Sequence, residues 1–437
     1  MSKIKILVLS WEPWNTSNSF GNSYNSIFKG IENIEIANIT CRYGTFDKKI
    51  VTRCYQMTEQ SILKSIFKGS PSGQEVYASE DESHEDIFNK EQASYSKGMW
   101  SFITWLRRNR FILLFWLRDL IWWTGRWKSK ELDDFIESFK PDVVWIPVYY
   151  SGYMNNIAMY LKKKTGKKML CYISDDNYTL KQYSLSPMYW IDRLIKRRGV
   201  KRVIQNSEIC YVITEKQKEE YEHIFNVKCK LLWKGDDFNV EKPMDPKCSS
   251  PLKMVFLGNS GLNRWKSILD VIDVIKEINA SRQQILLDIY TMTPLQKDII
   301  DKFNSTGNSQ KMPPLASEKI ISTFRDADML LHVEPTDLKN RLFYRLSFST
   351  KLVDCFAAAR CIIAYGGETG SMDYLRRHKC GIVANTKEDL KEQLLSLVND
   401  KQRVIDYGAM SWDIGKKFHN ISNIQNHLYK DIEDNAY

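Results

Sequence analysis

No Cys-x-x-Cys pair occurs in this sequence, and none of its nine cysteines stands at a zinc-like spacing from the six histidines. A structural zinc site and a dithiol redox motif are therefore not expected. Most of the cysteines lie in apolar contexts, such as Cys171, Cys210, Cys355 and Cys361. They read as reduced, buried thiols of a cytosolic protein. No apolar stretch reaches the about 18 residues that a membrane-spanning helix needs. The opening, MSKIKILVLSWEP, carries a short run of Ile and Val with no small-residue cleavage site, so no signal peptide is expected. No nucleic-acid signature accompanies the net charge of +10, which directs attention to an anionic membrane surface or anionic small substrates.

What is present is enough chain and apolar content, 437 residues and 43%, for two or three domains. Lys3–Ser10 (KIKILVLS) and Lys253–Gly258 (KMVFLG) are continuous apolar runs after a polar start. Strands buried on both faces read this way. Each leads into a loop with Gly and Asn and then a helix-period segment, so each opens a doubly wound α/β unit. Val240–Pro251, rich in Pro, Ser and charge, reads as the linker between them. Further strands are expected at Asp142–Pro147, Lys168–Ile173 and Glu208–Ile213. The second half should hold others at Ile285–Thr291, Asp328–Val333, Cys361–Tyr365 and Gly381–Ala384, with helices between. Strict alternation implies a parallel sheet in each half. The expected fold is thus α/β, two Rossmann-like domains facing across a cleft. Residues 1–240 form the first, 252–415 the second, and a terminal helix over 416–437 crosses back to the first. The polar, acidic segment 69–97 reads as a mobile loop.

Residues 100–127 (WSFITWLRRNRFILLFWLRDLIWWTGRW) hold six of the thirteen tryptophans. Trp105, Arg107, Arg108, Arg110, Trp116, Trp122 and Trp123 suit a helix lying in a membrane interface, aromatics in the acyl boundary and Arg on lipid phosphates. The alternative is an amphipathic helix packed on the core. A core rarely takes this many guanidinium groups without partners.

Arg345–Gly367, RLSFSTKLVDCFAAARCIIAYGG, raises the question of function. A helix start exposes free N–H groups and partial positive charge, which phosphate oxygens accept. Ser349 can cap such a helix and donate to phosphate, with Thr350 and Lys351 adding a hydroxyl and a cation. Asp354, a turn further in, suits the two hydroxyls of a ribose. The plainer reading is a capped helix with a solvated Asp354. A partner motif follows the strand at Lys253–Gly258. There Gly258 and Gly261 allow a tight turn, Asn263 follows, and Arg264 and Lys266 project at the helix start. Gly366 and Gly367 open a third loop with further backbone N–H groups. All three loops follow strands, so cations and a helix end can converge on a diphosphate.

In these residues the chain resembles a GT-B glycosyltransferase of the group 1, or family 4, type found in bacterial surface-polysaccharide pathways. The resemblance is strongest over about 205–415 and weaker over the first 45 residues and about 135–235. It implies that Arg264 and Lys266 bind the leaving diphosphate and that Asp354, matching the second acid of a Glu-x7-Glu element, binds nucleotide ribose. The first acid falls at Leu346 and is absent; Arg345, Ser347 or Glu334 would take its donor-sugar contact. The family's Ala-Gly-Lys-Pro segment is Ala-Ala-Arg-Cys here, from Ala358 to Cys361. Gly21 and Asn22, in the loop after the first strand, would border donor phosphate and acceptor.

The resemblance implies transfer of a sugar from a UDP- or GDP-type donor to a lipid-linked glycan hydroxyl at the inner face of the plasma membrane. Retention of configuration is implied, with no cofactor and no metal, since the cations stabilise the leaving group. Asp175 and Asp176 follow a strand of the first half and would hold acceptor hydroxyls or act as base, unless they only build a turn. Two rivals stay open: a sugar-nucleotide epimerase of the same architecture, and a non-catalytic membrane-surface binder on a degenerate scaffold.

Overall fold

The structure is a computed structural model that describes residues 3–15, 19–76 and 112–436. Its first sheet contains β1 (Ile4–Ser10), β2 (Ile34–Thr40), β3 (Val51–Met57), β4 (Gly73–Val76), β5 (Val143–Pro147), β6 (Lys168–Ile173), β7 (Ile209–Val212) and β8 (Cys229–Leu231). They lie in the order β4-β3-β2-β1-β5-β6-β7-β8, all parallel except the β3–β4 pair. The second sheet contains β9 (Leu252–Leu257), β10 (Ile285–Tyr290), β11 (Ser309–Lys311), β12 (Met329–Val333), β13 (Cys361–Tyr365) and β14 (Ile382–Ala384). Its order is β11-β10-β9-β12-β13-β14, parallel throughout. Strand order reverses beside β1 in one sheet and beside β9 in the other, which leaves a crevice at each reversal.

The apolar runs fold as strands because both faces of each sheet are covered. β5 is buried along its whole length, and so is β13. All nine cysteines are buried and none is in a disulfide. The segment 69–97 differs from the expectation where it is described. Gly73–Val76 is a strand that pairs antiparallel with β3 and closes the edge of the sheet, a place where a short polar strand is favoured. Residues 77–97 lie outside the described residues.

The aromatic stretch also differs, where it is described, from the expected interfacial helix. Trp105, Arg107, Arg108 and Arg110 lie outside the described residues. Trp122 belongs to the core, not to a membrane: it is fully buried in the helix Ile112–Thr124 and stacks on Tyr153 with ring centroids 4.4 Å apart. Trp116 is committed inward as well, its Nε1 donating to Asp192 Oδ1 at 2.8 Å. Trp123, one residue on, is exposed.

The halves exchange side chains. Leu346 of the second half is fully buried in the core of the first. Ile213, Trp233 and Phe238 pack into the core of the second. After the helix Lys401–Phe418, the helix Ile421–Ala436 lies on the first half, burying Leu428 and Ile432 there, and Tyr211 donates to Asp431 Oδ2 at 2.8 Å. His419 sits at the turn between these helices, fully buried among Trp233, Phe348 and Phe356. Its Nδ1 meets the Lys234 carbonyl at 3.1 Å and its Nε2 the Tyr374 hydroxyl at 2.9 Å. A neutral ring satisfies both, donating from Nδ1 and accepting at Nε2. Burial pushes the imidazole down to about 4.

Two outcomes follow for stability. An unfolded histidine binds a proton at about 6.5, so the unfolded state takes up the proton first as pH falls. His419 should therefore cost up to ~3 kcal/mol of stability between pH 6.5 and about 4. The difference in urea midpoint between wild type and His419→Gln should shrink over that window; a constant difference refutes it. Ala359 holds a left-handed backbone with φ 54° after the helix Lys351–Ala357. That conformation costs a residue with Cβ roughly 1–2 kcal/mol. Ala359→Gly should raise stability by about 1 kcal/mol, read as a higher melting temperature.

Candidate active site

The reversal between β9 and β12 places two charged residues opposite each other. The chain leaves β9, turns through residues 258–263 and enters the helix Arg264–Ile278. The turn is made by Leu262 and Asn263, with φ 51° and 66°, and not by the flanking glycines. Asn263 tolerates this conformation and its Nδ2 donates to Asp337 Oδ2 at 3.0 Å, fixing the loop. Arg264 then reaches the residue after β12: its Nη2 donates to Glu334 Oε2 at 2.8 Å, and its guanidinium lies 4.2 Å from the centre of the Tyr344 ring.

Glu334 is 2% exposed, and His332 Nε2 lies 3.1 Å from its Oε1. Burial alone would push the Glu334 carboxyl up; the His332 hydrogen bond and the Arg264 charge outweigh it and hold it below the ordinary value. Its backbone is held too, by the Ser267 hydroxyl at 2.7 Å. Gly366 adopts φ 140°, and a Cβ there would lie 2.1 Å from the Glu334 carbonyl oxygen. A Cβ on Gly367 would lie 2.5 Å from Arg341 Cδ. Both glycines are required by close approach of the loop after β13 to the loop after β12. Gly258 continues the sheet, its N–H donating to the Tyr290 carbonyl at 3.0 Å. Lys266 is exposed with Nζ 5.5 Å from the Trp265 ring centre; among the described residues it pairs with no carboxylate.

The helix expected at Thr350 is Lys351–Ala357. Ser349 does not cap it through its side chain; the Ser349 N–H instead donates to the Ser371 Oγ at 2.9 Å. That bond ties the helix start to the helix Gly370–His378, which follows the loop carrying Gly366 and Gly367. Thr350 sits in helical conformation beside it. Burial pushes the Lys351 ammonium down against the opposing pull of Asp354. Asp354 is partly exposed, and Lys234 Nζ meets its Oδ1 at 2.5 Å. Lys234 belongs to the segment after β8 and escaped the sequence reading, since nothing local to WKGDD signals a partner 120 residues away.

Asp175 and Asp176 separate in role. Asp176 is not an acceptor group or a base. It is fully buried, accepts the Thr179 N–H at 2.8 Å, and meets Arg193 Nη2 at 3.3 Å and Arg345 Nη1 at 2.9 Å. Arg345 also pairs with Glu220. Every oxygen of Asp176 is occupied by the fold, so no substrate hydroxyl has a place on it. Asp175 keeps solvent access, and its Oδ1 takes the Ser347 hydroxyl at 2.7 Å across the halves. The protein packed around it pushes its carboxyl above the ordinary aspartate value, against hydrogen bonds from Ser347 and Ser174; the charge of Asp176 adds to the rise. Asp175 thus stands at the contact between the halves while keeping solvent access. Gly21 lies in the helix Ser19–Phe28, where a Cβ would fall 1.7 Å from the Asn15 carbonyl oxygen. The Asn22 side chain lies outside the described residues.

The chain has the GT-B fold. Sucrose-phosphate synthase from Thermosynechococcus elongatus superposes with a TM-score of 0.63 at 10% identity, over 99% of this chain and 100% of that one. Anabaena HepE in complex with UDP does so at 0.64 and 10%, over 99% and 100%. The E. coli trehalose-6-phosphate protein bound with UDP-2-fluoro glucose gives 0.57 and 10%, over 98% of both chains. No protein-family model and no curated protein matches the sequence.

The neighbouring aspartates should respond differently to substitution. Asp176→Ala strands Arg193 and Arg345 as buried charges and should cost roughly 3–5 kcal/mol in urea unfolding. Asp175→Asn should stay within about 1 kcal/mol of wild type. Equal effects at the two positions would contradict the division.

Proposed function

We propose that the protein is a glycosyltransferase that moves a sugar from a nucleoside-diphosphate sugar, of UDP or GDP type, to a hydroxyl of a lipid-linked glycan acceptor. The observation that carries this reading is Arg264, held at the strand-order reversal of the second sheet by the buried Glu334 and the Tyr344 ring. Ligands of such sheets lie beyond the carboxyl ends of the strands at that reversal. Glu334 engages Nε and Nη2 of the guanidinium and so orients it in advance. Structures of the same fold that contain UDP and UDP-sugars support a nucleotide-sugar donor.

In the reaction the bond between the anomeric carbon and the diphosphate oxygen breaks, and the acceptor oxygen bonds to that carbon. Negative charge grows on the leaving diphosphate. Arg264, Lys266 and the backbone at Ser349–Lys351 are assigned to stabilise it, with Asn263, Gly258, Ser347, Gly366 and Gly367 around the donor, so that no metal ion is required. Asp354 is assigned to the ribose, with Lys234 holding one of its oxygens. Asp175 is assigned to the acceptor hydroxyl, on the floor of the cleft opposite. Retention is the proposed outcome, a departing phosphate oxygen receiving the acceptor proton. The reaction is assigned to bacterial capsule, O-antigen or exopolysaccharide assembly, with the protein peripheral on the inner face of the plasma membrane; the family 4-like positions of Arg264, Lys266 and Asp354 support this reading.

A thermal-shift screen of UDP-, GDP-, ADP- and CMP-sugars tests this. At a hundredfold excess over Kd, a binding donor adds about 2.7 kcal/mol of stability. One donor class should raise the melting temperature of wild type, and Arg264→Ala should lose that shift and turnover with acceptor. If no donor shifts the wild type, or if Arg264→Ala turns over donor as wild type does, the reading fails.

A further inference from the structure

The first half carries an apolar face where solvent would be expected. In the loop 180–186 and the helix Pro187–Gln205, Leu180, Tyr183, Leu185, Ile191, Leu194 and Ile195 are exposed, Leu185 at 86%. Helical spacing sets Ile191, Leu194 and Ile195 on one stripe with Arg198, Lys201 and Arg202, which are exposed as well. The stripe changes character along the axis, apolar at its amino end and basic at its carboxyl end. A rise of about 1.5 Å per residue separates the two zones by roughly 10 Å. A bilayer passes from acyl chains to phosphates over roughly 5–10 Å. The helix's one acid, Asp192, is buried and turned inward onto Lys196 at 2.9 Å, Trp116 and Tyr150. The outward stripe therefore carries positive charge alone. The helix Ile112–Thr124 touches this one through Trp116 and adds exposed Leu117, Leu120 and Trp123.

We infer that this face docks on an anionic lipid bilayer. The tip from Leu185 to Ile195 enters the acyl boundary, and Arg198, Lys201 and Arg202 sit against lipid phosphates. The same loop follows the strand end that carries Asp175 and Asp176, and Gln182 ties it to the second half by donating to the Leu342 carbonyl at 3.2 Å. A lipid-borne hydroxyl thus approaches the cleft from the side the docking surface faces. The inference rests on the proposed function for the acceptor's class alone; its test involves no donor and fails separately.

The test is sedimentation of the full chain with vesicles of phosphatidylcholine containing about a third phosphatidylglycerol, and with phosphatidylcholine alone. The wild type should partition onto the anionic vesicles. An Ile191→Asp/Ile195→Asp variant and an Arg198→Glu/Lys201→Glu/Arg202→Glu variant should each bind about tenfold more weakly or less, with unchanged urea midpoints. Wild type left in the supernatant, equal binding to neutral vesicles, or variants that sediment like wild type would overturn the inference. So would a wild-type dimer, seen by sedimentation velocity without vesicle binding, that the Ile191→Asp/Ile195→Asp variant dissolves; the face would then be a self-contact. Vesicle binding together with no thermal shift from any donor would leave the docking surface standing and the transferase reading refuted.

Discussion

Asp176 is a buried carboxylate neutralised by two guanidinium groups, Arg193 from its own half and Arg345 from the other. A buried charge without partners is expensive, so the second half must be seated for this ion pair to exist. Seating it brings the next two residues with it. Leu346 enters the core of the first half, its carbonyl takes the Thr214 hydroxyl at 3.2 Å, and Ser347 meets Asp175. Four residues later the helix Lys351–Ala357 begins, so its start is positioned by the same contact. The segment that links the halves is therefore also the one that places the groups proposed to bind the donor.

Leu346 occupies the position where the resembling family carries its first acid. The structure shows what the leucine does instead: it is fully buried across the interface. A carboxylate there would be desolvated without a cation of its own, since Arg345 is already shared by Asp176 and Glu220. The acid found nearest the switch between β9 and β12 is Glu334, and it is spent on orienting Arg264 and accepting from His332. Charge on the second half is thus arranged to fix a cation in place, while the open carboxylate of the cleft, Asp175, comes from the first half.

Much of the fold was legible because parallel strands covered on both faces are predominantly apolar, and β1, β5, β6, β9, β12 and β13 carry at most two polar residues each. β2, β3, β8 and β11 were not singled out; β8 and β11 have three residues each, too few to show a period. The position of Arg264 at a helix start after a strand was legible, because it is a local property. The site was illegible wherever a role depends on a distant partner. Asp175 and Asp176 are adjacent in sequence and opposite in surroundings, because one keeps solvent access and the other meets Arg345, 169 residues away. Trp122 and Trp123 diverge for a similar reason, since neighbouring helical positions point about 100° apart. Composition marked the stretch as aromatic and could not say which ring faced inward. The tight turn before Arg264 was assigned to glycines, yet Leu262 and Asn263 hold the left-handed conformation.

A nucleotide's diphosphate is proposed to sit at the strand-order reversal of the second sheet, against Arg264. A crystal structure of the protein soaked with the donor that binds it tests this directly. Pyrophosphate oxygens should lie within hydrogen-bond distance of the Arg264 guanidinium and near the backbone at Ser349–Lys351, with Arg264 still on Glu334. Nucleotide bound elsewhere, with Arg264 out of its reach, would contradict it.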